Sequence, residues 1–288
     1  MNYKKSVTTI NGYEATFYKL NNDGEDAHFY SGNGLPIGIY DTFLELISSK
    51  YKITNLSFRA SWEKMHNAKK QIKWETYADD LIEFIEKNYD KPIVGLGHSQ
   101  GGNATIVAAF KRPDLFKELI IIDPVSVTKS QEIRIKLLPY FIKKHLEPLK
   151  STLKKQTIWE TETELFNFLR KLPFYKRIKD ENLKVFAKNC LENKNGKLQL
   201  IFPIDWEAAN YALPINLDKV ITNLKMPIKI IAGKPSVFFN QKVRKNWGKI
   251  LNEEQFIVND NFGHLIPLEA PEFCAEMVLK NKNYQEQV

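Results

Sequence analysis

The stretch Gly95-Leu96-Gly97-His98-Ser99-Gln100-Gly101-Gly102 decides how the chain is read. It puts a serine among small residues just where the apolar run PIVGLG ends. The residues that follow, QGGNATIVAAFKRP, are small and apolar with helical character and stop at Pro113. A serine at a strand-to-helix turn can be a nucleophile presented on a strained backbone, because its neighbours two before and two after must be small, and here both are glycine. The competing reading is a glycine-rich loop that cradles a phosphate. Asp123, about 20 residues further on at a strand end, then takes the place of a ribose-binding acid. The glycines at 95, 97 and 101 are out of step with that fingerprint, and several strands precede this one, so the nucleophile reading is preferred.

Working outward, the pattern is an alternation. Val7 to Ile10, Tyr13 to Lys19 and Ala27 to Tyr30 read as strands, with a tight turn at Asn11-Gly12. IYDTFLELI has helical periodicity, YKITNLSF reads as a strand, and WETYADDLIEFIEKNY is an amphipathic helix with Tyr77, Leu81, Phe84, Ile85 and Tyr89 on its stripe. ELIIID, MPIKIIAG and QFIVND are further strands, QKVRKNWGKIL is a helix, and Pro271 opens a last helix that turns Phe273, Met277 and Val278 inward. Continuous apolar strands alternating with helices predict an α/β fold with a mostly parallel sheet covered on both faces. Residues 125–225 break the rhythm. They are mostly helical in pattern, interrupted by prolines, and too long for a loop. The expected organisation is a core of 1–124 and 226–288 with a helical cap, or lid, at 125–225.

Composition narrows the class. The 288 residues are 43% apolar, enough for one large core, and no apolar run approaches the roughly 20 residues of a membrane span. The first residues lack the apolar stretch of a signal peptide. Cys190 and Cys274 stand outside any metal-binding spacing and read as reduced thiols of a cytoplasmic protein. The net charge of +8 is confined to residues 125–225, which hold 19 Lys and Arg against 11 Asp and Glu. No nucleic-acid-binding pattern accompanies those basic residues. A solvated surface is the ordinary reading of such a segment; attraction of an anionic substrate or a membrane is the specific one. In IRIKLLPYFIKKHLEPLK, residues Ile133, Leu137, Tyr140, Phe141 and Leu149 are expected either to line an acyl pocket or simply to pack against the core.

A serine hydroxyl needs a base. Among five histidines, His264 lies in DNFGHLIPLEAPE, between the last strand and the last helix. His98 is turned away by the elbow and reads as structural; His28, His66 and His145 sit in no motif. With Gly97-His98-Ser99-Gln100-Gly101 and this histidine loop, the chain resembles the α/β-hydrolase superfamily, in particular its capped single-chain serine esterases. The resemblance implies that Ser99 is the nucleophile, His264 the base, and the backbone N–H groups of Asn33 and Gln100 the oxyanion hole. Ser31 in Ser31-Gly32-Asn33-Gly34 replaces the superfamily's usual histidine. Many relatives place the acid where this chain has Ser236. Others place it at the end of the strand after the nucleophile helix, which here is Asp123. Asp123-Pro124 is equally an ordinary strand-ending turn, and Asp260 is a poorer alternative. If Asp123 is not the acid, a Ser–His dyad helped by water or Ser236 remains. The resemblance implies cleavage of a small-molecule ester or thioester, an anionic group being compatible with the basic cap, without metal or cofactor. The reading from another class is a catalytically inactive relative that binds a small molecule or partner.

Overall fold

The computed structural model describes residues 3–20, 23–62 and 73–280; His66 lies outside them. Eight strands form the main sheet: β1 (Tyr3–Ile10), β2 (Tyr13–Leu20), β3 (Glu25–Tyr30), β4 (Tyr51–Leu56), β5 (Ile93–His98), β6 (Phe116–Ile122), β10 (Ile228–Gly233) and β11 (Phe256–Asn259). Their spatial order is β1-β2-β4-β3-β5-β6-β10-β11. β2 pairs antiparallel with both β1 and β4, and every other pairing is parallel. The β1–β2 turn takes positive φ at both Asn11 (48°) and Gly12 (78°), the backbone that a two-residue hairpin requires and that these two residues tolerate best. The mostly parallel sheet expected from the sequence is therefore present, flanked by helices.

Alternate residues of the central strands serve opposite cores, which explains their unbroken apolar runs. Ile93, Leu119, Ile121 and Ile230 pack with the helices Trp74–Asn88, Gln100–Lys111 and Gln241–Ile250 on one face. Val94, Leu96, Ile120, Ile122 and Ile231 pack with Asp41–Ile47 and Pro271–Leu279 on the other. In the last helix Val278 is buried, but Cys274 and Ala275 accompany it, while Phe273 and Met277 are half-buried. Among the described residues, no helix is long and apolar enough to cross a membrane.

The segment 125–225 holds short strands among its helices. Besides helices such as Lys129–Leu137, Asp180–Asn189 and Ile204–Tyr211, it contains β7 (Ile158–Trp159), β8 (Leu191–Lys194) and β9 (Lys197–Leu200), joined as a small antiparallel sheet in the order β7-β9-β8. Asn195 and Gly196 both take positive φ and close the β8–β9 hairpin. Prolines and charges in this region hide strands of two to four residues, too short to show a period.

One buried ion pair ties the hairpin side of the sheet to a helix. Arg59 donates through Nε and Nη2 to the two oxygens of Asp80, at 2.6 Å each, and Asn11 Nδ2 adds a bond of 2.8 Å. Asp80 is fully buried. Removing the guanidinium strands a carboxylate away from water, so Arg59→Met should lower the free energy of unfolding by about 3–5 kcal/mol. Urea denaturation measures this, and the double variant that also carries Asp80→Leu should recover much of the loss.

Candidate active site

The elbow is built by steric exclusion. Ser99 has φ 54° and ψ −122°, left-handed backbone for a non-glycine residue, and it caps the helix Gln100–Lys111. A Cβ on Gly97 would lie 2.7 Å from Gly102 Cα, and one on Gly101 would lie 2.2 Å from the carbonyl oxygens of Tyr30 and Ser31. The loop after β3 therefore presses directly on the turn after β5. The Ser99 N–H donates to Ile122 O at 2.9 Å, which pins the turn to the end of β6.

Folding brings Ser99, His264 and Asp123 into one row. His264 Nδ1 lies 2.6 Å from Asp123 Oδ2, and its Nε2 lies 2.8 Å from Ser99 Oγ. The carboxylate can only accept, so Nδ1 carries the proton and Nε2 accepts from the serine hydroxyl. Asp123 is fully buried and its φ is 39°. It is thus a strand-ending turn residue and also a hydrogen-bond partner of His264. Its Oδ1 accepts from the Gly233 N–H at 2.9 Å, and its Oδ2 accepts from Ser236 Oγ at 2.5 Å. Ser236, the position where the sequence resemblance would put an acid, donates to the Asp123 carboxylate instead. Asp260 turns elsewhere, to Lys234.

His98 joins two loops of the site. Its Nε2 lies 2.8 Å from the His264 carbonyl oxygen, which can only accept, so Nε2 bears the proton. Nδ1 then accepts from the Tyr40 hydroxyl at 2.7 Å, and that hydroxyl accepts from the Gly32 N–H at 3.0 Å. The structural role expected for His98 is thus a strut between the His264 loop and the loop holding Asn33. Glu269 is a second strut that the sequence reading missed: its carboxylate accepts from the Gly263 N–H at 2.6 Å and fixes the residue before His264. His28 is buried within the core, and its Nε2 accepts from the Leu56 N–H.

Asn33 lies in the loop after β3, and Gln100 directly follows Ser99. Gln100 is the first residue of its helix, so its N–H has no partner within the helix. Among the described residues the Asn33 N–H has no backbone partner. The Asn33 side chain is fixed from the far side: its Nδ2 donates to Glu207 O (2.9 Å), its Oδ1 accepts from Asn210 Nδ2 (2.8 Å), and Asn210 Oδ1 accepts from the Tyr77 hydroxyl (2.6 Å). Ser31, in the place of the usual histidine, accepts from Asn55.

The aromatic walls lie elsewhere than the sequence suggested. Phe238 and Phe174 face the His264 ring, with centroids 4.5 and 6.5 Å away, and Tyr211 stacks on Phe238 at 5.8 Å. Of the residues weighed as an acyl lining, Leu149 is buried, whereas Ile133, Leu137 and Phe141 point to solvent. Phe174, Tyr211 and Phe238 carry no motif, and only the folded chain gathers them.

No family model matches the chain. It is 26% identical over 204 residues to a monoacylglycerol lipase of Rattus norvegicus, an alignment covering 69% of this chain and 58% of that protein. It thus spans less than two thirds of that relative. Among solved structures it resembles E-2-(acetamidomethylene)succinate hydrolase, with a TM-score of 0.79 at 15% identity, covering 96% of this chain and 98% of that one. It also resembles a peroxisomal α/β-hydrolase of Saccharomyces cerevisiae, with a TM-score of 0.70 at 17% identity, covering 96% of this chain and 86% of that one. The chain has the α/β-hydrolase fold.

Burial pushes both His28 and His98 down to about 3, with the nearby His264 adding to the effect at His98. Both are therefore neutral in the folded protein, while in the unfolded chain they take a proton near pH 6.5. Stability is unaffected by them above that pH and falls as the pH drops below it, by about 1.4 kcal/mol per pH unit for each. Between pH 6.5 and 5.5 the unfolding free energy should fall by about 2–3 kcal/mol, read from urea midpoints; a flat profile would show that the two rings are reached by water.

Proposed function

We propose that the protein is a serine hydrolase that cleaves a carboxylic ester or thioester through an acyl-enzyme. The observation that carries this reading is the hydrogen-bonded row from Ser99 through His264 to Asp123, with spacings of 2.8 and 2.6 Å. Ser99 Oγ attacks the carbonyl carbon while its proton passes to His264 Nε2. The resulting oxyanion is held by the N–H groups of Asn33 and Gln100, beside the positive end of the helix Gln100–Lys111. Asp123 keeps His264 in the correct tautomer and stabilises the imidazolium, without taking its proton. The imidazolium then protonates the departing alcohol or thiol. Water, deprotonated by His264, then attacks the acyl-enzyme; the acyl–Oγ bond breaks, the imidazolium returns its proton to Ser99 Oγ, and the acid leaves.

In this reading residues 125–225 form a lid over the core, and Phe174 and Tyr211 from it complete an apolar wall with Phe238. Two buried, unpaired cysteines suit a reducing compartment, so a cytoplasmic location belongs to the same reading. The alternative, an inactive binding protein, rests on serine in place of the usual acid at 236 and of the usual histidine at 31; the second departure stands. The first weakens because the Ser236 hydroxyl donates to a carboxylate already paired with the histidine.

A fluorophosphonate probe should label the wild type and leave Ser99→Ala unlabelled. Folded wild type that resists the probe would decide for the binding protein. Asp123→Asn should lower kcat by about 10⁴-fold on a chromogenic ester, as loss of the acid does in other triads. Ser236→Ala removes one of three bonds to the carboxylate and should cost about tenfold or less. If the two variants lose activity equally, Ser236 is more than a support.

A further inference from the structure

The helix Lys129–Leu137 is packed inside out. Its one buried residue is Glu132, held by Lys129 at 2.6 Å and Lys136 at 2.8 Å, while Ile133 and Leu137, one turn apart, face solvent at 50% and 78% exposure. The short helix Tyr140–Lys143 that follows buries nothing, and Phe141 within it is 65% exposed. Leu146 and Leu153 continue the exposed apolar series. Single exposed apolar residues are normal, but a series this dense within twenty-odd residues of sequence marks an interaction surface. Residues 129–155 also carry eight Lys and Arg against two Glu, one of which is Glu132. Protruding aliphatic and aromatic groups among lysines are the composition of a segment that lies in the headgroup region of a bilayer.

We propose that the face formed by residues 133–153 docks the protein on an anionic lipid bilayer. Its apolar side chains enter the acyl boundary and its lysines meet the lipid phosphates. A second copy of the chain is a poor occupant, because two strongly positive faces repel each other. A nucleic acid would match the charge but leave Leu137 and Phe141 in water. Arg134 of this helix lines an open cleft of about 480 Å³ together with Ser236, Val237 and Lys242. Val237 is itself strongly exposed, and its neighbour Phe238 covers His264. Docking therefore presents the loop beside the catalytic row to the lipid surface. The proposal does not depend on what reaction Ser99 performs.

Sedimentation of the full chain with phosphatidylglycerol-rich vesicles tests it, with pure phosphatidylcholine vesicles as the comparison. Binding to the anionic vesicles should be at least about tenfold tighter and should weaken when salt is raised. The double variant Leu137→Glu, Phe141→Glu should lose more than about tenfold in vesicle binding while its far-ultraviolet circular dichroism stays unchanged. Lys150→Glu, Lys154→Glu should weaken binding to anionic vesicles alone. Three results would overturn the proposal: wild type that stays in the supernatant, equal binding to both lipids, or undiminished binding by the Leu137/Phe141 variant. Capture of an acidic carrier protein by a wild type that ignores vesicles would reassign the face to that partner. Fluorophosphonate labelling, run in parallel without lipid, reports on Ser99 separately, so failure of one idea leaves the other standing.

Discussion

No side chain fits at Gly97 or Gly101, and the geometry around Ser99 follows from that exclusion. The carbonyl oxygens of Tyr30 and Ser31 occupy the space where a Cβ on residue 101 would go. Because the two loops touch backbone to backbone, the turn after β5 has no room to relax, and Ser99 keeps its left-handed φ. Strain of this kind costs about 1–3 kcal/mol and survives only where surrounding contacts overdetermine it. Here they are the bond to Ile122 O, the helix that starts at the next residue, and the pressing loop. One steric fact thus brings together the hydroxyl, the helix N-terminus and the segment that carries Asn33.

The loop that carries the imidazole is held with comparable care. His98 and Glu269 grip the backbone on either side of the His264 side chain, one at its carbonyl and one at the preceding N–H. The His98 ring is useful there because it stays uncharged: a protonated ring would be a donor at both nitrogens and would leave the buried Tyr40 hydroxyl hydrogen without its acceptor. Two loops far apart in sequence are thereby registered to each other through a tyrosine and a histidine. The Asn33–Asn210–Tyr77 relay does the same between the loop after β3 and the segment 125–225.

Much of this was legible in the chain because it is local. The G-x-S-x-G turn, the Asn-Gly hairpin and the amphipathic helix at 74–88 each leave a signature within a few residues. The alternation of apolar strands and helices was enough to call the layered sheet. Asp123 was harder, because its chemistry depends on where the end of β6 lies relative to the end of β10, a through-space relation that no spacing encodes. The same holds for Phe174, Tyr211 and Phe238, which meet only on folding, and for the short strands β7 to β9. The outward aim of Leu137 and Phe141 runs against the ordinary expectation that apolar residues turn inward, and pattern alone gives no warning of it.

Gly233 and Ser236, at the end of β10, both touch the carboxylate that begins at the end of β6. Two neighbouring strand tips therefore address a single point beside the imidazole. Both tips reach that point, so acidic residues at 123 and 236 together would place two negative charges against one ring. The hydroxyl at 236 fills that spot without adding a second charge.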